Sequence, residues 1–186
     1  MSLGRGYAGS ARYTEGPWDA TVIYVRQNGA NNANGSARAF EIGGNYNFGF
    51  ARVFLGYTKE VNDCTTCTGA YARIQGLRAG GAGDFRLTNV GVRAPMGAFT
   101  LIGQATRIQD RSDYVAPTGN RDALNLAVGA EYSVSKRTVL WGSIGTIGNK
   151  NESKYAVSAG NGPRGSAFVP DGNPRATSGS LGMTHT

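Results

Sequence analysis

Along residues 124–147, LNLAVGAEYSVSKRTVLWGSIGTI, apolar and polar side chains trade places at every second position. Leu124, Leu126, Val128, Ala130 and Tyr132 are apolar, while Asn125, Ala127, Gly129 and Glu131 between them are small or polar. A period of two marks a strand with one apolar and one wet face, because successive side chains leave a strand on opposite sides. A polar turn, Ser133-Val134-Ser135-Lys136, comes next. A second strand is expected to return through Thr138, Leu140, Gly142 and Ile144.

The same hairpin recurs. Triplets of related pattern precede four short turns: Ala11-Arg12-Tyr13, Gly44-Asn45-Tyr46, Val92-Arg93-Ala94 and Ala130-Glu131-Tyr132. The turns expected after them are Thr14-Glu15-Gly16, Asn47-Phe48-Gly49, Pro95-Met96-Gly97 and Ser133-Val134-Ser135. Tyr7, Gly9, Ala11 and Tyr13 share a face of the first strand, and Trp18, Ala20, Val22 and Tyr24 a face of the second. Phe40, Ile42, Gly44 and Tyr46 follow, then Val53, Leu55 and Tyr57, with Arg52 and Phe54 on the other side. Val90, Val92 and Ala94 oppose Arg93, and Phe99, Leu101, Gly103 and Ala105 oppose Thr100, Ile102 and Gln104. Phe85-Arg86-Leu87 has the opposite parity to the residues after it, which predicts a bulge or a loop there. A last strand carries Gly179, Leu181, Met183 and His185 on one face.

One such hairpin would suit an ordinary antiparallel sandwich. Four in succession, with a ninth strand and nothing helical between them, predict a single up-and-down antiparallel sheet over residues 1–186. The connections alternate short and long. The long ones are expected at about 28–36, 59–83, 108–122 and 149–175, and all are rich in Gly, Asn, Ser or charge. That alternation is the habit of an outer-membrane barrel, with tight turns at one rim and extended loops at the other.

Hydropathy fits the same class. The mean is −0.31, and runs such as Ala20-Thr21-Val22-Ile23-Tyr24-Val25 reach only six residues. A spanning helix needs about 20 apolar residues in a row. A spanning strand needs about ten, with only alternate ones apolar. The chain of 186 residues carries a formal charge of +7, yet its Lys and Arg are scattered and form no basic surface with interleaved aromatics. Nucleic acid is therefore not an expected partner. Met1-Ser2-Leu3-Gly4-Arg5 has no secretory apolar core, so a mature piece or a fragment is expected.

Three stretches resemble one family. Tyr132-Ser133-Val134-Ser135-Lys136-Arg137-Thr138 and Asn45-Tyr46-Asn47-Phe48-Gly49 resemble turns of the Gram-negative general porins of β-proteobacterial type. Gly182-Met183-Thr184-His185-Thr186 is similar to their C-terminal strand, although the aromatic residue that ends the family, one place after Thr186, is not in this sequence. The resemblance implies a transmembrane β-barrel of 16 strands, integral to the bacterial outer membrane. Its setting is the lipid bilayer and lipopolysaccharide, it assembles as a homotrimer when full length, and it lets small hydrophilic solutes or anions diffuse through. Nine strands would correspond to about strands eight to sixteen, the C-terminal part of such a barrel. Nine strands closing on themselves would leave one parallel seam.

Under that resemblance, strand parity points Arg12, Asp19, Glu41, Arg52, Arg93, Glu131 and Arg137 into the lumen, a weakly positive wall that predicts a weak anion preference. The alternative is a structural or adhesive barrel, filled by inward residues such as Phe54, Ile102 and Trp141, whose long loops bind surface partners. Gly, Ser, Thr and Arg outnumber such bulky residues on the inward side and favour a wet lumen.

Cys64-Thr65-Thr66-Cys67 has the spacing of a redox centre or of half a zinc site. No βαβ pattern or second ligand pair accompanies it, and an extracellular loop is oxidising, so a disulfide between Cys64 and Cys67 is expected. Neither a metal nor a cofactor is expected. His185, the single histidine, lies in phase with Leu181 and Met183 and lacks the rigid Ser–His–Asp setting of a hydrolase. Gly80-Gly81-Ala82-Gly83 lacks the Gly-Lys-Ser/Thr ending of a phosphate loop. No enzymatic activity is expected.

Overall fold

The computed structural model describes residues 6–29, 35–62, 83–111, 122–151 and 175–186. They form nine strands: β1 (Gly6–Glu15), β2 (Trp18–Asn28), β3 (Ser36–Asn47), β4 (Arg52–Asn62), β5 (Gly83–Met96), β6 (Phe99–Asp110), β7 (Ala123–Ser133), β8 (Thr138–Asn149) and β9 (Arg175–His185). The strands lie in one sheet in chain order, each antiparallel to the next. This is the all-β up-and-down meander that the period-two pattern predicts. Among the described residues no helix is long and apolar enough to cross a membrane, a statement that leaves strands untouched.

Directly paired residues of an antiparallel sheet share a face, so the register carries one face from β1 to β9. Tyr13 pairs with Ala20, Ala20 with Gly44, and Gly44 with Leu55. Leu55 pairs with Val90, Val90 with Ala105, Ala105 with Leu126, and Leu126 with Thr146. This face holds the large apolar side chains, and they are the exposed ones. Leu55, Leu101, Leu126, Ile144 and Met183 all project into the surroundings, Val128 is 60% exposed and Leu181 is 89% exposed. On β7 the residues between them, Asn125, Ala127, Gly129 and Glu131, are less exposed. A water-soluble sheet buries its apolar face, since each exposed large side chain forgoes roughly 1.5–3 kcal/mol of transfer free energy. Here the order is reversed. Water is therefore not the medium that this face was selected for.

Two short turns are tighter than the sequence pattern suggests. Glu15 pairs with Trp18 and Met96 with Phe99, so Thr14, Glu15, Pro95 and Met96 belong to strands and only two residues turn. Gly16 and Gly97 take φ of +54° and +63°, the left-handed conformation that two-residue hairpin loops demand and that glycine adopts without a Cβ penalty. The β3–β4 turn uses Gly49 at φ +88° and ties Phe48 N–H to the Ala51 carbonyl at 2.8 Å.

The expected bulge at Phe85-Arg86-Leu87 is corrected by the register. β5 runs unbroken from Gly83 to Met96, paired residue for residue with β4 and β6. What changes at Phe85 is the polarity of the two faces. Near the long-loop ends the exposed face carries Arg26, Arg38, Lys59, Arg86 and Arg107, while the opposite face carries buried Ala37, Ala39, Phe85, Ala123 and Ile147. Apolar clusters form there, Ala37 and Ala39 with Val25, and Ala123 and Ile147 with Ile108 and Ala176. The strands thus run on beyond the apolar band, and the inside-out pattern stops where the band stops.

From the turn-side aromatic to the loop-side cation, the row approaches the roughly 25 Å height of an outer-membrane barrel's apolar band. On β2 the row from Trp18 to Arg26 spans eight steps, about 27 Å along the strand and about 20 Å of height at a tilt near 40°. Aromatic rings border it at the short-turn end. Trp18 meets Tyr46 edge to face with centroids 4.5 Å apart, Tyr46 meets Phe48 at 4.5 Å, and Phe99 lies 4.6 Å from Tyr132. Tyr24, Phe40 and Tyr57 border it at the loop end.

Candidate functional site

The face opposite the apolar band carries two close ion pairs between strands. Arg12 on β1 and Asp19 on β2 lie diagonally across the first hairpin, and the guanidinium grips both carboxylate oxygens: Nε donates to Oδ1 at 2.9 Å and a terminal nitrogen to Oδ2 at 2.6 Å. This is the fork geometry in which arginine holds a carboxylate most firmly. Thr14 Oγ1 donates to the same carboxylate at 3.3 Å. Arg93 on β5 reaches across β6 to Glu131 on β7, donating to Oε2 at 2.6 Å. Only the register could show that residues 38 positions apart meet.

Arg52 stands directly opposite Arg93 on β4, exposed and on the same face, and no described carboxylate pairs with it. Glu41, exposed on β3, faces Ile23 and Thr58 across the strands. Arg137 falls in the turn before β8, where strand parity does not set its direction, and its Nε donates to the backbone carbonyl of Thr186. Cys64 and Cys67 lie outside the described residues. The structure therefore joins Arg12 with Asp19 and Arg93 with Glu131. It places Arg52 beside the second pair and Glu41 apart.

Two further carboxylates occupy this face and have no place in the sequence pattern. Glu60 and Asp110, both buried, sit at the loop ends of β4 and β6, in segments that the pattern assigns to loops. Glu60 pairs in register with Ala39, and Asp110 with Phe85. The signal that could have found them is the inverted alternation of Lys59-Glu60-Val61, in which the charge on the exposed face is followed by one turned inward. With both included, three cations (Arg12, Arg52, Arg93) share the face with five carboxylates (Asp19, Glu41, Glu60, Asp110, Glu131). The chain's excess of positive charge therefore lies elsewhere.

Outside the apolar clusters at the loop ends, much of the rest of the face is small or hydrogen-bonding. Asn89 donates to Thr106 Oγ1 at 2.8 Å, Gln104 to the same oxygen at 3.1 Å, and Ser143 meets Ser180 at 2.8 Å. Phe54 and Ile102 lie among them, and the Trp141 indole lies over Gly182 on the neighbouring strand instead of standing free. Among the described residues no group of three or more His, Cys, Asp and Glu could hold a metal ion. A mixed wall of this kind orders water and charge along a surface. It has the chemistry of a conduit lining.

A family model described as Gram-negative porin matches residues 2–152. The chain belongs to the Gram-negative porin family. Its likeness to solved structures lies in the fold: the anion-selective porin from Comamonas acidovorans superposes with a TM-score of 0.72 at 23% identity, over 99% of this chain and 49% of that one. OmpT, an outer membrane protein of Vibrio cholerae, superposes with a TM-score of 0.65 at 13% identity, over 95% of this chain and 53% of that one. The chain thus spans about half the length of these two solved proteins. No curated protein sequence matches it. As a porin it is an integral outer-membrane protein, and its apolar band is the face that meets lipid.

Proposed function

We propose that this porin chain supplies about nine strands, the C-terminal eight to sixteen, of a 16-stranded barrel that is a passive diffusion channel for small hydrophilic solutes with a weak anion preference. The observation that carries the channel reading is the reversal of faces, with exposed apolar residues on one side of the sheet and ion pairs on the other. Apolar side chains meet lipid at no cost only if every backbone N–H and C=O within the bilayer is already bonded, which a closed ladder achieves. β1 and β9 both run from the loop end to the turn end, so pairing them would make a parallel seam. About seven further strands would close the ring antiparallel throughout. The complete barrel is a homotrimer in contact with lipopolysaccharide and the bilayer. Cys64 and Cys67, in the β4–β5 connection, form a local disulfide; alkylation of protein extracted without reductant is expected to label neither thiol, and labelling of both would overturn the pairing.

The anion preference rests on which wall charges stay uncompensated. Asp19 and Glu131 are held by Arg12 and Arg93, and Glu60 and Asp110 are buried. Arg52 adds a cation beside Arg93, and no described carboxylate pairs with it. Glu41 is the opposing exposed charge. In planar bilayers under a potassium chloride gradient, the full-length porin is expected to show a reversal potential of anion-preferring sign. Arg52→Glu is expected to shift the permeability ratio toward cations by about twofold, and Glu41→Gln to shift it the other way. A cation-preferring wild type would overturn the preference and leave the channel standing.

A further inference from the structure

On the outward face a groove of about 770 Å³ opens over Ala20 of β2 and its partner Gly44 of β3. A residue without a side chain beside one with a single methyl group leaves backbone as the floor. Leu55 pairs with Gly44, is 61% exposed and walls one side. Trp18 and Tyr46 close the turn end, and Tyr57 stands at the other, level with Ile42. From Tyr46 to Ile42 the groove follows β3 for four residues, about 13 Å. One leaflet of a bilayer has a hydrocarbon depth of about 15 Å. The groove is therefore long enough for an acyl chain of a single leaflet.

A charge stands beside its turn end. Glu15, the last residue of β1, pairs with Trp18 and shares its outward face. The carboxylate is exposed and accepts one hydrogen bond, from the Tyr13 hydroxyl to Oε2 at 2.6 Å. A carboxylate has about four acceptor sites, so most of its capacity is open. No described cation pairs with it. The described strands carry no Lys or Arg on this face at their turn ends, and the first outward cation along β2 is Arg26, at the loop end. Beside two aromatic rings at the membrane border, this carboxylate calls for a cation that arrives with the lipid. A primary ammonium brings three N–H donors for Glu15 and is attracted to the faces of Trp and Tyr. A quaternary ammonium has no N–H to donate and gains only from the rings. A net anionic head group is repelled.

We propose that this groove binds one phospholipid with a primary ammonium head group, its acyl chain laid over Ala20 and Gly44 and its ammonium held by Glu15 beside Trp18 and Tyr46. The proposal rests on the outer-membrane channel reading for placing the short turns in the periplasmic leaflet, and adds to it a lipid site on the outer wall. A second copy of this chain is the poorer occupant. Its described strands offer no Lys or Arg at this depth, so Glu15 would face it without a cation.

The test places the full-length porin in nanodiscs of equimolar dioleoyl-phosphatidylethanolamine and dioleoyl-phosphatidylcholine. The lipid that stays bound on transfer to mild detergent is then counted by native mass spectrometry. Wild type is expected to retain the ethanolamine lipid over the choline lipid by about fivefold, the upper end for one exposed ion pair. E15Q is expected to bring that ratio to about one. A20L keeps the carboxylate but fills the floor, and is expected to hold either lipid about tenfold more weakly. It serves if E15Q does not fold, as judged by heat-modifiable migration. Equal retention of the two lipids by wild type, an unchanged ratio in folded E15Q, or full retention by folded A20L would each overturn the proposal. So would a preference for dioleoyl-phosphatidylglycerol, or Ala20→Cys chains that cross-link to one another in membranes. A wild type that conducts but shows no head-group preference would sink this site alone. One that keeps the preference and conducts nothing would sink the channel reading and leave the site standing.

Discussion

Val128→Arg is expected to lower the stability of the folded porin by about 2–4 kcal/mol, the range for an arginine on the lipid face near the bilayer midplane. With the same chemistry, Ala127→Arg, one position earlier, is expected to cost less than about 1 kcal/mol, since substitutions on the lumen side change selectivity more than stability. The contrast follows from parity alone. Val128 pairs with Gly103 and Ile144 on the lipid face and is 60% exposed there, so a guanidinium at this position would have hydrocarbon around it. Ala127 pairs with Gln104 and Gly145 on the lumen face, where an arginine finds water and polar neighbours. Equilibrium urea titrations of the full-length porin in lipid vesicles, followed by tryptophan fluorescence and by migration of unheated samples, would measure both. Two equal losses would mean that the face carrying Val128 does not meet lipid. A larger loss at Ala127 would mean that the faces are assigned the wrong way round.

The parity behind this contrast is legible in the sequence because lipid and water impose opposite demands at single-residue intervals. Leu124, Leu126, Val128 and Tyr132 can be placed on one face without coordinates, as can Val90 with Val92 or Phe99 with Leu101. Nine strands and the short–long alternation of their connections follow from the same signal, with glycine marking most of the turns. The signal ends where the hydrocarbon ends. Lys59-Glu60-Val61-Asn62 and Ile108-Gln109-Asp110 read as loops because Lys59 and Gln109 break the apolar row on the outward face, yet both are paired strand. Phe85-Arg86-Leu87 reads as an interruption for the same reason, although β5 continues through it. Above the bilayer the outward side faces head groups and water, and the inward side is packed, so the rule that identifies a spanning strand inverts without the strand ending.

The lumen wall is legible residue by residue but not as a set. Arg12, Asp19, Glu41, Arg52, Arg93 and Glu131 fall on one face by counting. Which of them neutralise each other depends on the stagger between strands, and Arg93 meeting Glu131 across β6 has no local trace. Arg137 escapes the count because a turn intervenes before β8. The balance of wall charge shifts for a related reason: Glu60 and Asp110 lie in the stretches where alternation inverts. The net basicity of the chain suggests a positive lumen, yet among the described residues five cations, Arg26, Arg38, Lys59, Arg86 and Arg107, stand on the outward loop-end row. Composition counts charges and does not know which side of a sheet they occupy.

Close approach between strands supplies a second large effect. Gly44→Ala is expected to destabilise the barrel by about 1–3 kcal/mol, the usual cost of forcing a methyl group into a packed site. A Cβ at Gly44 would lie 2.6 Å from the Asp19 carbonyl oxygen, 3.2 Å from Ala20 Cα and 3.3 Å from Ala20 Cβ. The nearest of these is backbone, which cannot rotate away, so β2 and β3 would have to separate where Ala20 and Gly44 pair. Asp19 belongs to the Arg12 ion pair, so the displacement would reach the lumen wall as well. Gly148 lies on the same face of the sheet, in β8, and a methyl group there would meet nothing within 4 Å. Gly148→Ala is therefore expected to be neutral or to stabilise by up to about 1 kcal/mol through lost unfolded-state freedom. Unfolding midpoints of the two variants in detergent micelles should move in opposite directions or differ by at least the full Gly44 cost. Coincident midpoints would show that β2 and β3 do not approach as closely as the register and the Asp19 carbonyl require.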